Sequence, residues 1–288
     1  MIGFVILHYI VEEETYKCVQ SIYDSVSEEK VIIIIDNASP NGSGERIREH
    51  YKDDKNIFVH INKDNVGFAK GNNKGYQIAK NQYNADFIVI LNNDVEIEDS
   101  YIIRKIYKEY NENCFWILGP DIYSTSYKTH QSPKTLTNYT IDEIKKKNEH
   151  YRKQLSRKQL LWVKSCFKKS FILRKFVYQY KRRKVDYKQK RFNVPLHGAF
   201  LVYSPIYIEN YNYAFFDGTF LYFETEILDC ICNKHNIRTE YCPDIQVLHH
   251  QNVATNREHT NIFEKTIFSY KCNYESTKAF LDNYKEWM

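Results

Sequence analysis

Two runs of β-branched residues, IGFVILHY at 2–9 and VIIIID at 31–36, constrain the fold most. Neither alternates apolar with polar residues, so neither can be a strand with one wet face. A strand that is apolar on both sides belongs in a sheet covered on both sides, the habit of parallel α/β sheets. NIFVHIN (56–62) and DFIVILNND (86–94) repeat the pattern. Between these runs helices are expected at 12–26, 42–51 and 71–83, the first with Cys18, Val19, Ile22 and Val26 on its apolar side. Alternation of this kind predicts a mostly parallel, Rossmann-like sheet flanked by helices, with ligands bound beyond the carboxyl ends of the strands. Polar residues gather at those ends: 36–39, 62–67 and 92–94.

The alternation lapses over 125–192 and the charge changes with it. Residues 145–191 hold 19 Lys or Arg against two acids, Glu149 and Asp186, a charge of +17. The other 241 residues carry −12, so the net +5 hides an acidic globule with a basic insertion. Leu160, Leu161, Phe167, Phe171, Ile172, Leu173, Phe176 and Val177 are interleaved with that charge, as in basic helices. Such asymmetry is expected where one face meets a polyanion: an anionic membrane, a nucleic acid or a phosphorylated substrate. From 194 the compact pattern returns, with a helix after Pro205, a strand at 238–242, the segment 244–255, and helical spacing in the tail 256–288. The expected organisation is therefore 1–124 and 193–255 as two halves of one α/β domain, 125–192 as a basic helical insertion and 256–288 as a helical tail.

No apolar run reaches the roughly 18 residues of a membrane span. The start, MIGFVILHYI, has neither a basic region nor a cleavage motif and reads as a strand. The seven cysteines form no close-spaced framework, so reduced thiols and a cytoplasmic location are expected, with a peripheral position at the inner membrane face as an option. Cys230 and Cys232 lack a second Cys/His pair at zinc spacing.

Four segments carry the chemistry. LNND (91–94) ends a buried strand in a polar turn, suited to a hard divalent cation on a diphosphate, or to an ordinary Asx turn. NKDNVGFAKGNNKGY (62–76) has Gly67, Gly71 and Gly75 at a helix start, where amides could face an anion; it is neither a P-loop nor a GxGxxG fingerprint. FFDGTFLYFETEILD (215–229) sets Glu224 and Glu226 after aromatic residues, where a carboxyl gains proton affinity, or simply starts an exposed helix. His249 and His250 follow an apolar strand, as metal or phosphate ligands or as structural residues.

Together these segments resemble the family 2 glycosyltransferases of GT-A fold, and among them the rhamnosyltransferase-like branch that builds bacterial surface polysaccharides such as capsule, O-antigen and exopolysaccharide. The matching pieces, in order, are VILHYI, the helix through Cys18 and Ile22, IIIDNASPNGS, NKDNVGFAKGNNKGY, FIVILNNDVEI, LHGAFLVYS, FDGTFLYFETEIL and PDIQVLHH. The resemblance implies an inverting, metal-dependent transferase using a UDP- or dTDP-sugar and a saccharide acceptor, free or lipid-linked. It assigns Asp36 and Asn37 to the nucleotide, together with Asn65, Gly67, Asn72, Asn92 and Asn93. It assigns Asp94 and His249, with His250 as neighbour, to Mn2+ or Mg2+. The family's base is second in an E-D-x-x-L pattern; here that position is Thr225, which cannot serve near neutral pH. Glu226 or Glu224 is expected to take its place.

Two rival readings follow from the same residues. Thr225 would also fit a catalytically impaired sugar-nucleotide-binding subunit. The basic insertion would fit a nucleic-acid binder, but no RNA-binding motif accompanies it and the polar strand ends are then unexplained.

Overall fold

The computed structural model describes residues 1–157, 159, 161–162, 171–182, 185–250 and 261–287. The amino-terminal half runs β1 (Ile2–His8), α1 (Glu12–Ser25), β2 (Lys30–Asp36), α2 (Ser43–His50), β3 (Ile57–Ile61), α3 (Gly67–Asn81) and β4 (Phe87–Asn92). Then come β5 (Val95–Glu96), α4 (Ile102–Asn113), β6 (Ile117–Ser124), β7 (Thr129–His130), α5 (Ile141–Leu155) and α6 (Phe171–Arg182). The rest is β8 (Arg191–Phe192), β9 (Phe200–Tyr203), α7 (Pro205–Asn210), α8 (Glu224–His235), β10 (Thr239–His249) and α9 (Ile262–Trp287).

The strands form one mixed sheet in the order β3-β2-β1-β4-β9-β6-β10-β5, with β7 beside β6 and β8 beside β10. The β1 pairings with β2 and β4, β2 with β3, and β6 with β10 are parallel. β9 alone runs antiparallel between β4 and β6. This is the α/β architecture expected from the sequence, with helices on both faces.

The two-sided apolar strands explain the layers. Phe4 and Ile6 of β1 and Ile32 and Ile34 of β2 face one core, filled by Cys18, Val19 and Ile22 of α1, Ile47 of α2 and Ile102, Ile103 and Ile106 of α4. Val5, Val31, Ile33 and Ile35 face the other, filled by Tyr76 and Ile78 of α3, Tyr207 of α7 and Leu228 and Cys232 of α8. Helix α3 lies so close to the sheet that a Cβ on Gly75 would stand 2.2 Å from Val5 Cγ1, which is why glycine sits there. A third core joins α5, α8 and α9 through Ile144, Phe216, Ile227, Ile231 and Phe280. Asn148 of α5 also donates to Tyr274 O at 3.0 Å and Thr277 Oγ1 at 2.9 Å on α9.

Three local expectations are revised. Helix α3 starts at Gly67 and not at 71. Thr239–His249 form one strand, because a bulge between Cys242 and Gln246 absorbs the break that Pro243 makes in the pattern. The segment 125–192 is not wholly helical, since β7 and β8 stitch its two ends to the main sheet. Leu160 and Phe167 of the basic segment, and residues 251–260 at the start of the tail region, lie outside the described residues. Among those described, no cysteine is in a disulfide, and no helix is long and apolar enough to cross a membrane.

Candidate active site

The carboxyl ends of β1, β2, β3, β4, β6 and β10 reach the same edge of the sheet, since β6 is antiparallel to β9 and β9 to β4. Because β9 runs the other way, the residues leading into it, His197 and Gly198, arrive at that edge too. Asn92 N–H donates to Ala199 O at 2.9 Å and locks this junction.

One corner of the edge joins Asp94 to His249. Pairing of β5 with β10 sets His249 opposite Val95, and His250 N–H donates to Asp94 O at 2.9 Å. His249 Nε2 then stands 3.1 Å from Asp94 Oδ1. The other ring nitrogen, Nδ1, is 2.7 Å from Gln131 Oε1, while Gln131 Nε2 donates to the Tyr178 hydroxyl at 3.4 Å. Gln131 Oε1 is thus the acceptor, and Nδ1 carries the hydrogen. In the neutral ring, Nε2 then turns a lone pair toward a carboxylate, an arrangement that needs a cation or a proton between them. Cis ligands of an octahedral cation held at about 2.0–2.1 Å lie roughly 3 Å apart, so the donor set and its spacing fit a divalent metal. Among the described residues no cluster of three or more His, Cys, Asp or Glu could hold a metal. Two protein ligands are enough for a hard cation that takes its remaining ligands from water and phosphate oxygens. His250 points elsewhere, with Nε2 2.8 Å from Glu96 Oε2 and Nδ1 3.1 Å from Thr125 Oγ1.

The second corner is the start of α8. A Cβ on Gly198 would stand 2.7 Å from Thr225 Cγ2, so the segment 197–198 packs directly on Thr225. The His197 and His249 rings are 5.8 Å apart, centre to centre. Lys134 reaches in from the same loop as Gln131, donating to Thr225 Oγ1 at 2.9 Å and to Glu226 Oε1 at 2.6 Å. Thr225 Oγ1 donates to Glu226 Oε2 at 3.2 Å. Burial alone would raise the Glu226 carboxyl, but the Lys134 ammonium and the hydrogen bonds outweigh it and hold the group below the ordinary carboxylate range. Glu224 behaves in the opposite way. It is 7% exposed, its Oε1 has no hydrogen-bond partner, and burial foremost, with the Glu226 charge, pushes it up to about 7.

The residues expected at the nucleotide divide into two groups. Asp36 is 1% exposed and takes Ser39 Oγ at 2.5 Å and Ser39 N–H at 3.2 Å. A Cβ on Gly44 would stand 2.5 Å from its Cγ, so α2 closes over it. Asn93 donates to Thr15 Oγ1 at 3.1 Å, and Thr15 in turn meets His8, whose other nitrogen meets Ser43. These two side chains therefore brace the strand ends from within. Asn37 and Asn65 form a second brace. Asn37 donates to Asn65 Oδ1 at 2.8 Å and to Gly67 O at 3.2 Å, and accepts from Val66 N–H at 3.0 Å. Gly67 (φ +84°) lets the backbone at 220 cross the start of α3, for a Cβ there would lie 2.3 Å from Phe220 O. Phe68 N–H donates to that carbonyl at 2.6 Å, so this amide of the helix start is already engaged. Asn72 is 1% exposed and donates to Phe68 O at 3.0 Å, leaving its Oδ1 buried without a partner. Asn92 is half-buried at the end of β4, next to Asp94.

Sequence reasoning did not single out Gln131, Lys134 or His197. Gln131 and Lys134 lie in a stretch with no periodicity, and their partners are 118 and 92 residues away.

Comparison with known proteins agrees with this architecture. The profile described as "Glycosyl transferase family 2" matches residues 4–180. No curated protein sequence matches the chain. Among solved structures, S. aureus TarS 1-349 is 11% identical with a TM-score of 0.53, over 99% of this chain and 77% of that one. The same fragment in complex with UDP is 10% identical with a TM-score of 0.53, over 99% and 72%. Against a longer TarS structure the identity is 12% and the TM-score 0.53, covering 86% of this chain and 36% of that one. The chain thus spans about a third of that longer structure, and at these identities the likeness speaks for the fold.

Glu224 generates a stability test. Its folded pKa of about 7 lies above the ordinary carboxyl value of 4.5, so the fold binds the proton more tightly than the unfolded chain. Stability is therefore lost as pH rises from about 4.5 to 7, and the loss is complete above that. Glu224→Gln should remove it, stabilising the protein by up to about 3 kcal/mol at pH 8 and by little at pH 4.5. Thermal melts at the two pH values check this, and a loss of stability at pH 8 would contradict it.

Proposed function

The chain belongs to glycosyl transferase family 2, and on that premise we propose that it moves a sugar from a nucleoside-diphosphate donor to a hydroxyl of a saccharide acceptor, inverting the anomeric carbon. One observation carries the reading: a continuous line of contacts joins Asp94 and His249, through His197 and Gly198, to Thr225, Lys134 and Glu226. A corner suited to a cation on a diphosphate and a corner holding a carboxylate thus share one sheet edge. S. aureus TarS of the same fold was crystallised with UDP, which supports a uridine nucleotide here, with thymidine as the alternative. The rhamnosyltransferase-like branch has its support in the sequence segments alone.

In this reading the acceptor oxygen attacks the anomeric carbon in line as the bond to the diphosphate breaks, and the bonding electrons leave with the phosphate. Glu226 accepts the acceptor's proton. It suits the task better than Glu224, which is more buried and turns an oxygen into the interior. Thr225 stands at the usual base position, and its hydroxyl and Lys134 orient the neighbouring carboxylate and keep it ionised. A divalent cation held by Asp94 and His249 would offset the charge on the departing diphosphate. The Asn37–Asn65 brace fixes the loops beside the donor, and Gly67 lets the 215–223 loop close against α3.

Glu226→Gln should lower turnover by at least about 100-fold, as expected for loss of a general base, while thermal stabilisation by UDP with Mn2+ is retained. Asp94→Ala should lower both. Wild-type protein that binds UDP yet neither transfers nor hydrolyses any nucleotide sugar would point instead to an impaired binding subunit.

Lys134→Met removes the charge that chiefly opposes burial at Glu226, so its pKa should rise. In the wild type the acid limb of kcat/KM should fall below the ordinary carboxylate range, and in the variant it should move upward toward neutral pH. A pH–rate profile whose acid limb stays in place would remove Lys134 from this role.

A further inference from the structure

Helix α6 is built the wrong way round for a surface helix. Such a helix normally buries its apolar side and turns its polar side to water. Here Phe176, Val177 and Tyr180 are 66%, 48% and 70% exposed. Their spacing places them on one face of the helix. The opposite face meets the protein through Tyr178 and Gln179. Gln179 Nε2 donates to Tyr127 O at 3.0 Å, the Tyr178 and Tyr127 rings are 4.9 Å apart, and the Tyr178 hydroxyl accepts from Gln131. The helix is thus attached by its polar side to the very loop whose Gln131 orients His249.

The charge of the helix sequence has a single sign. The helix sequence, FILRKFVYQYKR, holds Arg174, Lys175, Lys181 and Arg182 and no acid, and Arg183 and Lys184 follow. Upstream, Trp162 is 57% exposed. The 145–191 segment carries 19 basic residues against two acids. A few of these charges are compensated internally: Lys190 pairs with Glu109, and Arg152 and Lys153 with Glu149. None of the basic residues of α6 has an acidic neighbour within its own helix.

We propose that this face of α6 docks on an anionic lipid surface, with Phe176, Val177 and Tyr180 entering the interface and the surrounding Lys and Arg meeting lipid phosphates. A helix that exposes an apolar stripe and carries Lys and Arg with no acid has the composition of an interfacial helix. The aliphatic Val177 within the stripe suits acyl chains better than nucleobases, which favour aromatic platforms. Exposure of this face among the described residues, and a helix sequence without acids, point to the same occupant. Docking there would set the loop of Gln131, and with it the Asp94–His249 corner, beside the bilayer. An acceptor carried on a lipid would then reach the sheet edge from the membrane side. Only that last consequence rests on the transferase reading; the docking itself does not.

The test is flotation of the full chain with phosphatidylcholine vesicles, with or without about one third phosphatidylglycerol, at low and high salt. Thermal stabilisation by UDP with Mn2+ is read on the same samples. The chain should float with the anionic vesicles, stay behind with the neutral ones, and be released by salt. Phe176→Asp combined with Tyr180→Asp should weaken the partition by about tenfold or more, with the melting temperature and the UDP response unchanged. Absence of flotation with anionic vesicles at low salt would overturn the proposal, as would equal binding to neutral vesicles or a double variant that binds as well as the wild type. Tighter binding to single-stranded RNA than to the vesicles would overturn it in favour of nucleic acid. A missing UDP response alongside intact flotation would count against the transferase reading and leave the docking surface standing.

Discussion

The contact between Asp94 and His249 is the constraint around which the rest is arranged. These residues are 155 apart in sequence and 3.1 Å apart in space. The short antiparallel pairing of β5 with β10 brings them together. Because β4 and β6 both run antiparallel to β9, and β10 runs parallel to β6, strands from the two halves of the chain end at one edge. Gln131 holds the imidazole through Nδ1, so that Nε2 faces the carboxylate. A pair of this kind is favourable with positive charge between the two atoms, supplied by a proton or by a cation.

Beside it, Thr225 stands between Glu224 and Glu226 at the start of α8. Two glutamates flank the threonine, and their environments drive them apart. Glu224, buried with an unpartnered oxygen, favours its neutral form near pH 7. Glu226, held by Lys134, favours its anion. Opposite environments for neighbouring carboxyls are how sites divide structural from chemical roles. The Lys134 charge is the largest influence that opposes burial at Glu226, and Glu224 lies against no such partner among the described residues.

Much of this frame was legible in the sequence, and the part that was not has a physical reason. Strands β1, β2 and β4 declared themselves because residues such as Ile32 to Ile35 are buried on both sides and leave few polar positions. The polar strand ends were equally legible, and the structure gathers them at one edge. What sequence could not supply was the direction in which each polar side chain turns. Asp36 and Asn93 face inward because Ser39, Thr15, His8 and Ser43 meet them there, and those partners come from separate elements. The α3 start was misjudged because Gly67 takes a positive φ beneath a crossing backbone that lies some 150 residues further on. The roles of Gln131 and Lys134 had no local signal at all. Strand β10 read as two pieces because Pro243 falls in its bulge.

We propose that Asp94 and His249 together hold the cation on which the donor diphosphate sits. Anomalous diffraction from crystals grown with Mn2+ and UDP tests this directly. One manganese peak is expected within bonding distance of both Asp94 Oδ1 and His249 Nε2, beside the diphosphate. UDP bound at this edge with no manganese there, or manganese bound elsewhere on the molecule, would contradict it.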